Sequence, residues 1–484
     1  MENELTRLKA AETFAACEAL WKTPDARAEI DRLFDEAYTT FDRKVVVLDD
    51  DPTGVQTVHD VAVVTDWAED TLYAEMLRPD PMFFVLTNSR SFSAERTQEA
   101  HREIAESVLA AARRAGKDFL IICRGDSTLR GHLPIEEAAL SSVIEHSGGA
   151  AFDGEILCPF FREGGRFTLN GVHYVQEGED LVPAAQTEFA RDKTFGYAHS
   201  FLPEYVEEKT HGAVKAQDVL TVTLRELRAL DLDAIEAKLA GAEGFRYIAV
   251  DAIEEADVKA FAVVLMRLMA RGRRYMIRSA AAVPKALGNV ASRALLSREE
   301  LIGAHTDVGG MVLAGSHVKK TTDQLNCLRQ SACPMDWIEF NASRYAQEGG
   351  LADETARVTA LAEEAMRAGR TAVVYTSRTL IAPEGASAEE MLAISVRISD
   401  AVTAVVAGLH FRPRFLIAKG GITSSDVGVK ALQVRRAWVL GQAQPGIPVW
   451  RTGEESKFPG LSYIIFPGNV GQVSTLRTIV EALA

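Results

Sequence analysis

Apolar and polar positions follow two alternating patterns along most of the chain. Short unbroken apolar runs such as Val45–Leu48 are typical of strands buried on both faces of a parallel sheet. Apolar residues at helical spacing occupy the longer stretches between these runs. From residue 43 onward this alternation predicts an α/β fold with two domains, each a mostly parallel sheet flanked by helices.

The predicted elements continue through both halves of the chain. A β-hairpin is predicted around Asn170-Gly171, the strongest short turn signal that a sequence offers. Strands of the first half are predicted at 43–48, 60–65, 82–87, 118–123, 154–158, 218–223, 246–251 and 274–278, and helices at 68–78, 94–116 and 133–147. Strands of the second half are predicted at 311–314, 336–340, 371–376, 414–418, 436–440 and 462–466.

The domain boundary is predicted where the apolar periodicity is lost, around 299–309. Before residue 43, two amphipathic helices broken near Thr23-Pro24 form an extension. The predicted divisions are therefore a helical extension over 1–42, a first domain over 43–300 and a second domain over 308–484.

The composition of the chain argues against several classes of protein. With 53 Lys and Arg against 68 Asp and Glu, the formal net charge is −15, which disfavours binding to nucleic acid or to an anionic membrane surface. No apolar run approaches membrane-spanning length, and the N-terminal residues lack a signal-peptide pattern. Five scattered cysteines without CxxC spacing predict no disulfide framework, so we expect a cytoplasmic protein. The oligomeric state stays open, with a homo-oligomer among the options.

Polar side chains follow three strands of the first domain. Asp49, Asp50 and Asp51 come directly after Val45–Leu48, and packing alone does not explain three carboxylates that repel one another and resist desolvation. Arg90 follows the strand at 82–87. The strand at 118–123 is followed by a loop with two arginines, an aspartate and two hydroxyls: Arg124, Asp126, Ser127, Thr128 and Arg130.

Ligands of open α/β sheets bind at the carboxyl ends of strands, so these loops predict a pocket for a small hydroxylated anion. Arginine forks fit a carboxylate, and Asp126 could neutralise an arginine or receive a substrate proton. The alternative is purely structural, with an acidic turn, an N-cap and surface ion pairs.

Three strand–loop–helix junctions of the second domain are rich in glycine. Glycine lets the backbone approach a ligand closely, and free N–H groups at such junctions favour phosphate. Neither a Walker A sequence nor a G-x-G-x-x-G fingerprint occurs, so the junctions predict a nucleotide site of another kind. They are Gly315-Ser316-His317, Lys419 to Ser425 and Pro467 to Gly471.

On these motifs the chain resembles the four-carbon acid sugar kinase family over roughly residues 43–484. The family's Asp-Asp-x-Thr-Gly is similar to Asp50–Gly54, its Thr-Arg-Ser loop to Ser89–Ser91, and its Asp-Ser-Thr-x-Arg-Gly to Asp126–Gly131. Its Gly-Ser, Gly-Gly-x-Thr-Ser and Gly-Asn-x-Gly segments resemble Gly315-Ser316, Gly420–Ser424 and Gly468–Gly471. Pro52 and Arg124 depart from the commoner family residues, and segment 159–197 resembles a longer, effector-like subgroup.

The resemblance implies an ATP- and Mg²⁺-dependent kinase that phosphorylates threonate, erythronate or a 3-oxo-tetronate across an interdomain cleft. In that hypothesis Asp51 or Asp126 accepts the hydroxyl proton, and the metal ligands stay open. The substrate-binding residues implied are Asp50, Thr53, Gly54, Arg90, Arg124, Ser127 and Arg130. The nucleotide-binding residues implied are Gly315, Ser316, Gly420, Gly421, Ile422, Thr423, Ser424, Gly468, Asn469 and Gly471.

Two other functions remain open from the sequence. VVVLDDDPT also fits the D-x-D-x-T motif of haloacid-dehalogenase-like phosphatases, with Asp49 as nucleophile, although that hypothesis leaves the glycine junctions unexplained. A non-catalytic protein that binds a sugar acid between two lobes is the second alternative.

Overall fold

A computed structural model of the chain describes residues 5–302, 307–378, 388–468 and 470–484. Its strands are β1 (Leu8–Lys9), β2 (Arg43–Asp49), β3 (Val61–Val64), β4 (Met82–Leu86), β5 (Asp118–Arg124), β6 (Gly154–Cys158), β7 (Arg166–Leu169), β8 (Val172–Glu177), β9 (Asp180–Pro183), β10 (Leu220–Val222), β11 (Arg246–Val250), β12 (Tyr275–Ser279), β13 (Met311–Ala314), β14 (Met335–Phe340), β15 (Thr371–Thr376), β16 (Leu416–Lys419), β17 (Arg436–Gln444), β18 (Ile447–Thr452) and β19 (Ser462–Phe466).

The α-helices alternate with these strands, as the apolar pattern predicts. They are α1 (Ala10–Glu18), α2 (Ala26–Tyr38), α3 (Glu69–Leu77), α4 (Ala94–Ala115), α5 (Ile135–His146), α6 (Leu202–Lys209), α7 (Leu224–Arg228), α8 (Leu232–Ala240), α9 (Glu255–Ala270), α10 (Ala282–Leu287), α11 (Arg298–Ile302), α12 (Lys319–Leu328), α13 (Gly350–Arg367), α14 (Ala388–Ala407), α15 (Gly421–Asp426) and α16 (Thr475–Leu483).

The chain divides into two compact units. The first consists of Met1–Gly54 and Asp66–Ala291, and the second of Val55–Thr65 and Ser292–Ala484. Each contains a mostly parallel sheet with helices, which confirms the predicted α/β fold class. The predicted domain boundaries and the interdomain position of the active site stay predictions.

The main sheet of the first unit is parallel and has the strand order β10-β11-β6-β12-β5-β2-β4. β2 lies inside this sheet, and its residues Val45, Val46 and Val47 are fully buried. β-Branched residues pack well on a pleated surface that is covered on both sides, which explains why this apolar run forms a strand.

A small antiparallel sheet, β1-β9-β8-β7, also belongs to the first unit. Its β7–β8 turn is the predicted Asn170-Gly171 hairpin, and both turn residues have positive φ, 52° and 75°. An apolar cluster joins Val175 of β8 to Leu129 and to Ala249 of β11, so this sheet packs beside the loop after β5.

The sheet of the second unit has the order β3-β17-β18-β19-β16-β13-β15-β14. β19, β16, β13, β15 and β14 run parallel, whereas β3, β17 and β18 pair antiparallel. Its core includes the fully buried residues Val312, Phe415, Ile464 and Phe466.

β3 belongs to the second unit although it precedes most of the first unit in the chain. The sequence predicts a strand at 60–65 but not its partner, and the structure pairs Val61–Val64 with Arg436–Val439 of β17. Thr65 extends the pairing through its hydroxyl, which donates to the carbonyl of Val434 (2.5 Å).

None of the helices that the structure describes is long and apolar enough to cross a membrane. The five cysteines all lie in described segments, where none forms a disulfide.

Candidate functional site

Three polar loops meet at one edge of the main sheet in the first unit. Parallel pairing aligns Asp49 at the end of β2 with Leu86 of β4 on one side and with Arg124 of β5 on the other. The loops after these strands are therefore neighbours, and they bring together the predicted residues of segments 49–54, 87–91 and 124–131.

Asp49 is buried and paired with Arg124. Its side chain is 2% exposed, and Arg124 donates from Nη1 to Asp49 Oδ1 (3.2 Å). A Cβ atom at Gly54 would overlap the Asp49 carboxylate, so the glycine allows this loop to close over it. Burial raises the pKa of Asp49 to about 7, although Arg124 opposes the shift. Asp49 is thus enclosed by protein, which is not the environment of an attacking nucleophile.

Asp50 and Arg90 form a bidentate ion pair. Arg90 donates from Nε to Asp50 Oδ2 (3.0 Å) and from Nη2 to Asp50 Oδ1 (2.5 Å). Its remaining Nη1 reaches Asp51 Oδ2 at 3.4 Å. The Arg124 guanidinium lies 3.6 Å from Asp50 Oδ1, so two arginines neutralise this part of the loop.

Asp51 is the most exposed of the three aspartates, with 17% of its side chain accessible. Its Oδ1 accepts hydrogen bonds from the backbone N–H (2.8 Å) and the hydroxyl (2.5 Å) of Thr53. Burial favours the neutral acid, but Arg90 and the Thr53 hydrogen bonds outweigh it and lower the pKa of Asp51. Asp51 therefore presents a charged carboxylate at the edge of the sheet.

Asp126 is a second ionised carboxylate in the loop after β5. Arg130 donates from Nε to Asp126 Oδ2 (2.7 Å), and the Thr128 hydroxyl donates to the same oxygen. Burial opposes ionisation, yet Arg90 and Arg130 lower the pKa of Asp126 well below its usual range. Ser127, which lies between Asp126 and Thr128 in this loop, is buried.

Three successive carbonyls of this loop are held by residues that lie between β8 and the end of α6. His173 Nε2 donates to Ser127 O (2.8 Å), Tyr197 Oη to Thr128 O (2.7 Å), and Tyr205 Oη to Leu129 O (2.7 Å). Burial lowers the pKa of His173 to about 4, so its ring is neutral and acts as a fixed donor. These bonds fix the loop that carries Asp126.

Arg278 is a residue of this region that sequence reasoning missed. It lies in β12 and donates from Nη1 to Glu136 Oε2 (2.7 Å) and to Glu137 Oε1 (2.5 Å). Its Nη2 would lie 2.5 Å from a Cβ atom at Gly131, so Arg278 packs against the loop after β5. The available signal was an arginine near the end of an otherwise apolar strand, YMIRS.

In the second unit, the three glycine junctions follow the adjacent parallel strands β13, β16 and β19. Ser316 lies between them, because Cβ atoms added at Gly420 and Gly468 would each lie 3.1 Å from Ser316 atoms. Gly420 has a φ of 123°, which side chains rarely adopt. A Cβ atom at Gly315 would overlap the Thr423 hydroxyl. The structure thus brings the predicted junctions together.

The remaining predicted nucleotide residues differ in their surroundings. Ser424 is buried, and its hydroxyl donates to Ala418 O (2.8 Å). Gly421 begins α15 and Ile422 is 67% exposed. Gly471 has a φ of 79° beside Thr475, and Asn469 lies outside the described residues.

Lys419 is a buried cation beside these junctions. Its Nζ donates to Pro467 O (3.1 Å) and lies 3.8 Å from the centroid of the Phe466 ring. Burial lowers its pKa to about 7, and Lys320 adds to the shift. A nearby anion such as phosphate would favour the protonated form of this lysine.

Among the described residues, protein side chains alone do not form a preformed metal site. In the segments that the structure describes, no group of three or more His, Cys, Asp and Glu side chains could hold a metal ion.

Comparisons with known proteins agree with this organisation. A model of a sugar-binding N-terminal domain matches residues 45–287, and a model of a nucleotide-binding C-terminal domain matches residues 311–476. A search of curated protein sequences found no match.

The solved structures that resemble this chain include two that cover at least 90% of it. One is a Salmonella typhimurium LT2 protein proposed to be a tRNA synthase, with a TM-score of 0.63 and 19% identity over 91% of this chain and 98% of that chain. The other is a Haemophilus influenzae protein of the DUF1537 family, with a TM-score of 0.57 and 15% identity over 90% of this chain and 99% of that chain. At these identities the likeness shows a shared fold. The two domain matches follow each other along most of the sequence. They show that the chain belongs to the four-carbon acid sugar kinase family.

Proposed function

We propose that the protein is an ATP-dependent kinase that phosphorylates a terminal hydroxyl of a four-carbon sugar acid of the threonate, erythronate or 3-oxo-tetronate type. The observation that carries the proposal is a pair of complementary sites. The first unit presents two ionised carboxylates among arginines, and the second presents three adjoining glycine junctions beside a buried lysine. A kinase needs an acceptor site of the first kind and a phosphate site of the second.

In the first unit, Asp51 is our choice for the residue that receives the proton of the attacking hydroxyl, with Asp126 as the alternative. The hydroxyl oxygen forms a bond to the γ-phosphorus, the bond from that phosphorus to the β–γ bridging oxygen breaks, and ADP leaves. The carboxylate takes the hydroxyl proton. Asp51 suits this role because it is charged and more exposed than its two neighbours.

In the second unit, the proposed contacts to the ATP phosphates are the backbone of the glycine junctions and the hydroxyls of Ser316 and Thr423. Lys419 adds positive charge when it is protonated. Mg²⁺ usually binds phosphate oxygens, water and one or two carboxylates, so it needs no cluster of protein ligands. The one of Asp51 and Asp126 that does not take the proton could complete its coordination, and the metal would neutralise charge on the phosphates.

The environment of Asp49 argues against the phosphatase alternative. A phosphatase of that class needs Asp49 as an accessible nucleophile, whereas this carboxylate is 2% exposed and paired with Arg124. The non-catalytic alternative would bind a sugar acid as the kinase does, but it would not phosphorylate it.

The test is ADP release by the full-length protein with Mg-ATP and each of threonate, erythronate and a 3-oxo-tetronate. We expect ADP release with at least one acid, and its loss in Asp51→Asn. Binding of an acid without ADP release would favour the non-catalytic protein. Release of phosphate from phosphate esters, abolished by Asp49→Asn, would favour the phosphatase.

A further inference from the structure

Two of the arginines expected to hold an acidic substrate are already occupied by protein carboxylates. Arg90 is paired with Asp50 through two hydrogen bonds, and Arg124 with Asp49 through one. A guanidinium whose charge is neutralised by a buried carboxylate adds little net attraction for a second anion. The residue that recognises an acid is therefore better sought among arginines without such a partner.

Arg166, the first residue of β7, is such an arginine. It forms no ion pair with any residue in the described part of the chain, and its buried Nε has no hydrogen-bond acceptor there. Burying an unpaired donor costs free energy, so a protein seldom retains one without a partner.

Arg166 and Arg130 share one aromatic ring. Their guanidinium carbons lie 5.5 Å and 5.3 Å from the centroid of Phe189, which belongs to a 3₁₀ helix at Glu188–Arg191. Burial lowers the pKa of Arg166; Asp126 opposes this and Arg130 adds to it. Arg130 is hydrogen-bonded to Asp126 (2.7 Å) and lies 3.6 Å from Asp192, so carboxylates balance its charge, whereas Arg166 has no ion-pair partner among the described residues.

Backbone hydrogen bonds fix the position of Arg166 relative to the loop that carries Asp126. Its N–H and carbonyl both bond to Phe161 (2.9 and 3.1 Å), and Thr168 bonds in both directions to Ala252 (3.0 and 3.1 Å). His173 of the paired strand β8 holds the carbonyl of Ser127. The hairpin therefore presents Arg166 in the same framework that fixes the candidate acceptor site.

We propose that Arg166, placed over the ring of Phe189 beside the Arg130–Asp126 ion pair, binds the carboxylate of the acceptor and makes the enzyme specific for an acid over a neutral polyol. A planar guanidinium fork matches a carboxylate in two parallel hydrogen bonds. The proposal rests on the kinase function above, since it names the group that recognises that kinase's acceptor.

The experiment is calorimetric binding of threonate and erythronate, with erythritol as the neutral four-carbon probe, to the full-length protein. Arg166→Met should weaken binding of the preferred acid at least tenfold and leave the affinity for erythritol and for ADP unchanged. Arg162→Met is the matched control, an exposed arginine in the turn before β7, and should change none of the three affinities.

Arg166→Lys keeps the charge but loses the fork, and it should also bind the acid more weakly. Acid affinity within twofold of wild type in Arg166→Met would overturn the proposal. If Arg166→Met does not fold, Arg166→Lys decides: wild-type acid affinity would count against the proposal and a tenfold loss would support it. A wild-type protein that binds acid without releasing ADP refutes the kinase and still allows the Arg166 test.

Discussion

The three aspartates after β2 differ in exposure and partner, and this difference predicts different results for the same substitution. Asp51→Asn removes the proposed proton acceptor, so we expect kcat to fall by roughly 10²–10⁴, the usual range for a general base. ADP affinity should stay the same, because Asp51 lies in the first unit. Steady-state kinetics and calorimetry measure the two quantities. Asp49→Asn is the comparison, and an equal loss of kcat in both variants would contradict the assignment.

The raised pKa of Asp49 also predicts that the stability of the protein depends on pH. Its pKa in the folded protein is about 7, whereas in the unfolded chain it is about 4. The folded protein therefore holds this proton more tightly, and the stability from this group is full below about pH 4 and lost as the pH rises through about 7.

Asp49→Asn removes this titration. The free energy of unfolding of the variant, relative to wild type, should therefore rise between about pH 5 and about pH 9. Urea denaturation at the two pH values measures it. A flat difference for Asp49→Asn would mean that Asp49 is ionised throughout.

At the scale of elements, the loop after β5 depends on hydrogen bonds from outside its own strand. Tyr205→Phe removes the donor to Leu129 O and leaves a buried carbonyl unpaired, which should cost about 1–3 kcal/mol of stability. Urea denaturation measures this loss. Tyr73→Phe is the control, since the Tyr73 hydroxyl has no hydrogen bond within the described segments. Equal stability of the two variants would show that the loop does not rely on Tyr205.

The junction between β16 and α15 predicts a second effect. Gly420→Ala places a Cβ atom 3.1 Å from that of Ser316 at a φ of 123°, so the backbone must move away from its present path. We expect ADP affinity to fall at least tenfold by calorimetry. Gly241→Ala, at an ordinary φ of −85° and with space for a Cβ atom, should leave it unchanged. Unchanged ADP affinity in Gly420→Ala would mean that the phosphates bind elsewhere.

The sequence predicts elements better than partners. The apolar runs around Val45 and Ile417 predicted strands that the structure contains, because such a run is visible within one segment of the sequence. The part that the loops after these strands play in binding stays a prediction. The pairing state of Arg90 and Arg124 was not visible, since it depends on loops brought together by the order β5-β2-β4. Arg166 carries no motif at all. Its surroundings arise from Phe189, which a hairpin and a 3₁₀ helix bring next to it.

At the scale of the whole molecule, the second unit needs a segment from the first part of the chain. A fragment of residues 292–484 lacks β3 and leaves one side of β17 unpaired, which promotes association between chains. We expect such a fragment to aggregate, and a synthetic peptide of residues 55–65 to restore a monomer that binds ADP. Light scattering and calorimetry test this, with a scrambled peptide as control. A stable monomeric fragment without the peptide would contradict the requirement.

The same strand has a consequence for synthesis on the ribosome. Thr65 bonds to Val434, which lies 369 residues later in the sequence. At roughly 5–20 residues per second, that distance corresponds to on the order of 20–70 s of translation. During this interval Val61–Val64 have been synthesised, but the strand β17 that pairs with them has not. For most of its elongation the nascent chain therefore lacks the strand that pairs with Val61–Val64, and we expect a chaperone that binds this apolar segment to raise the yield of native protein.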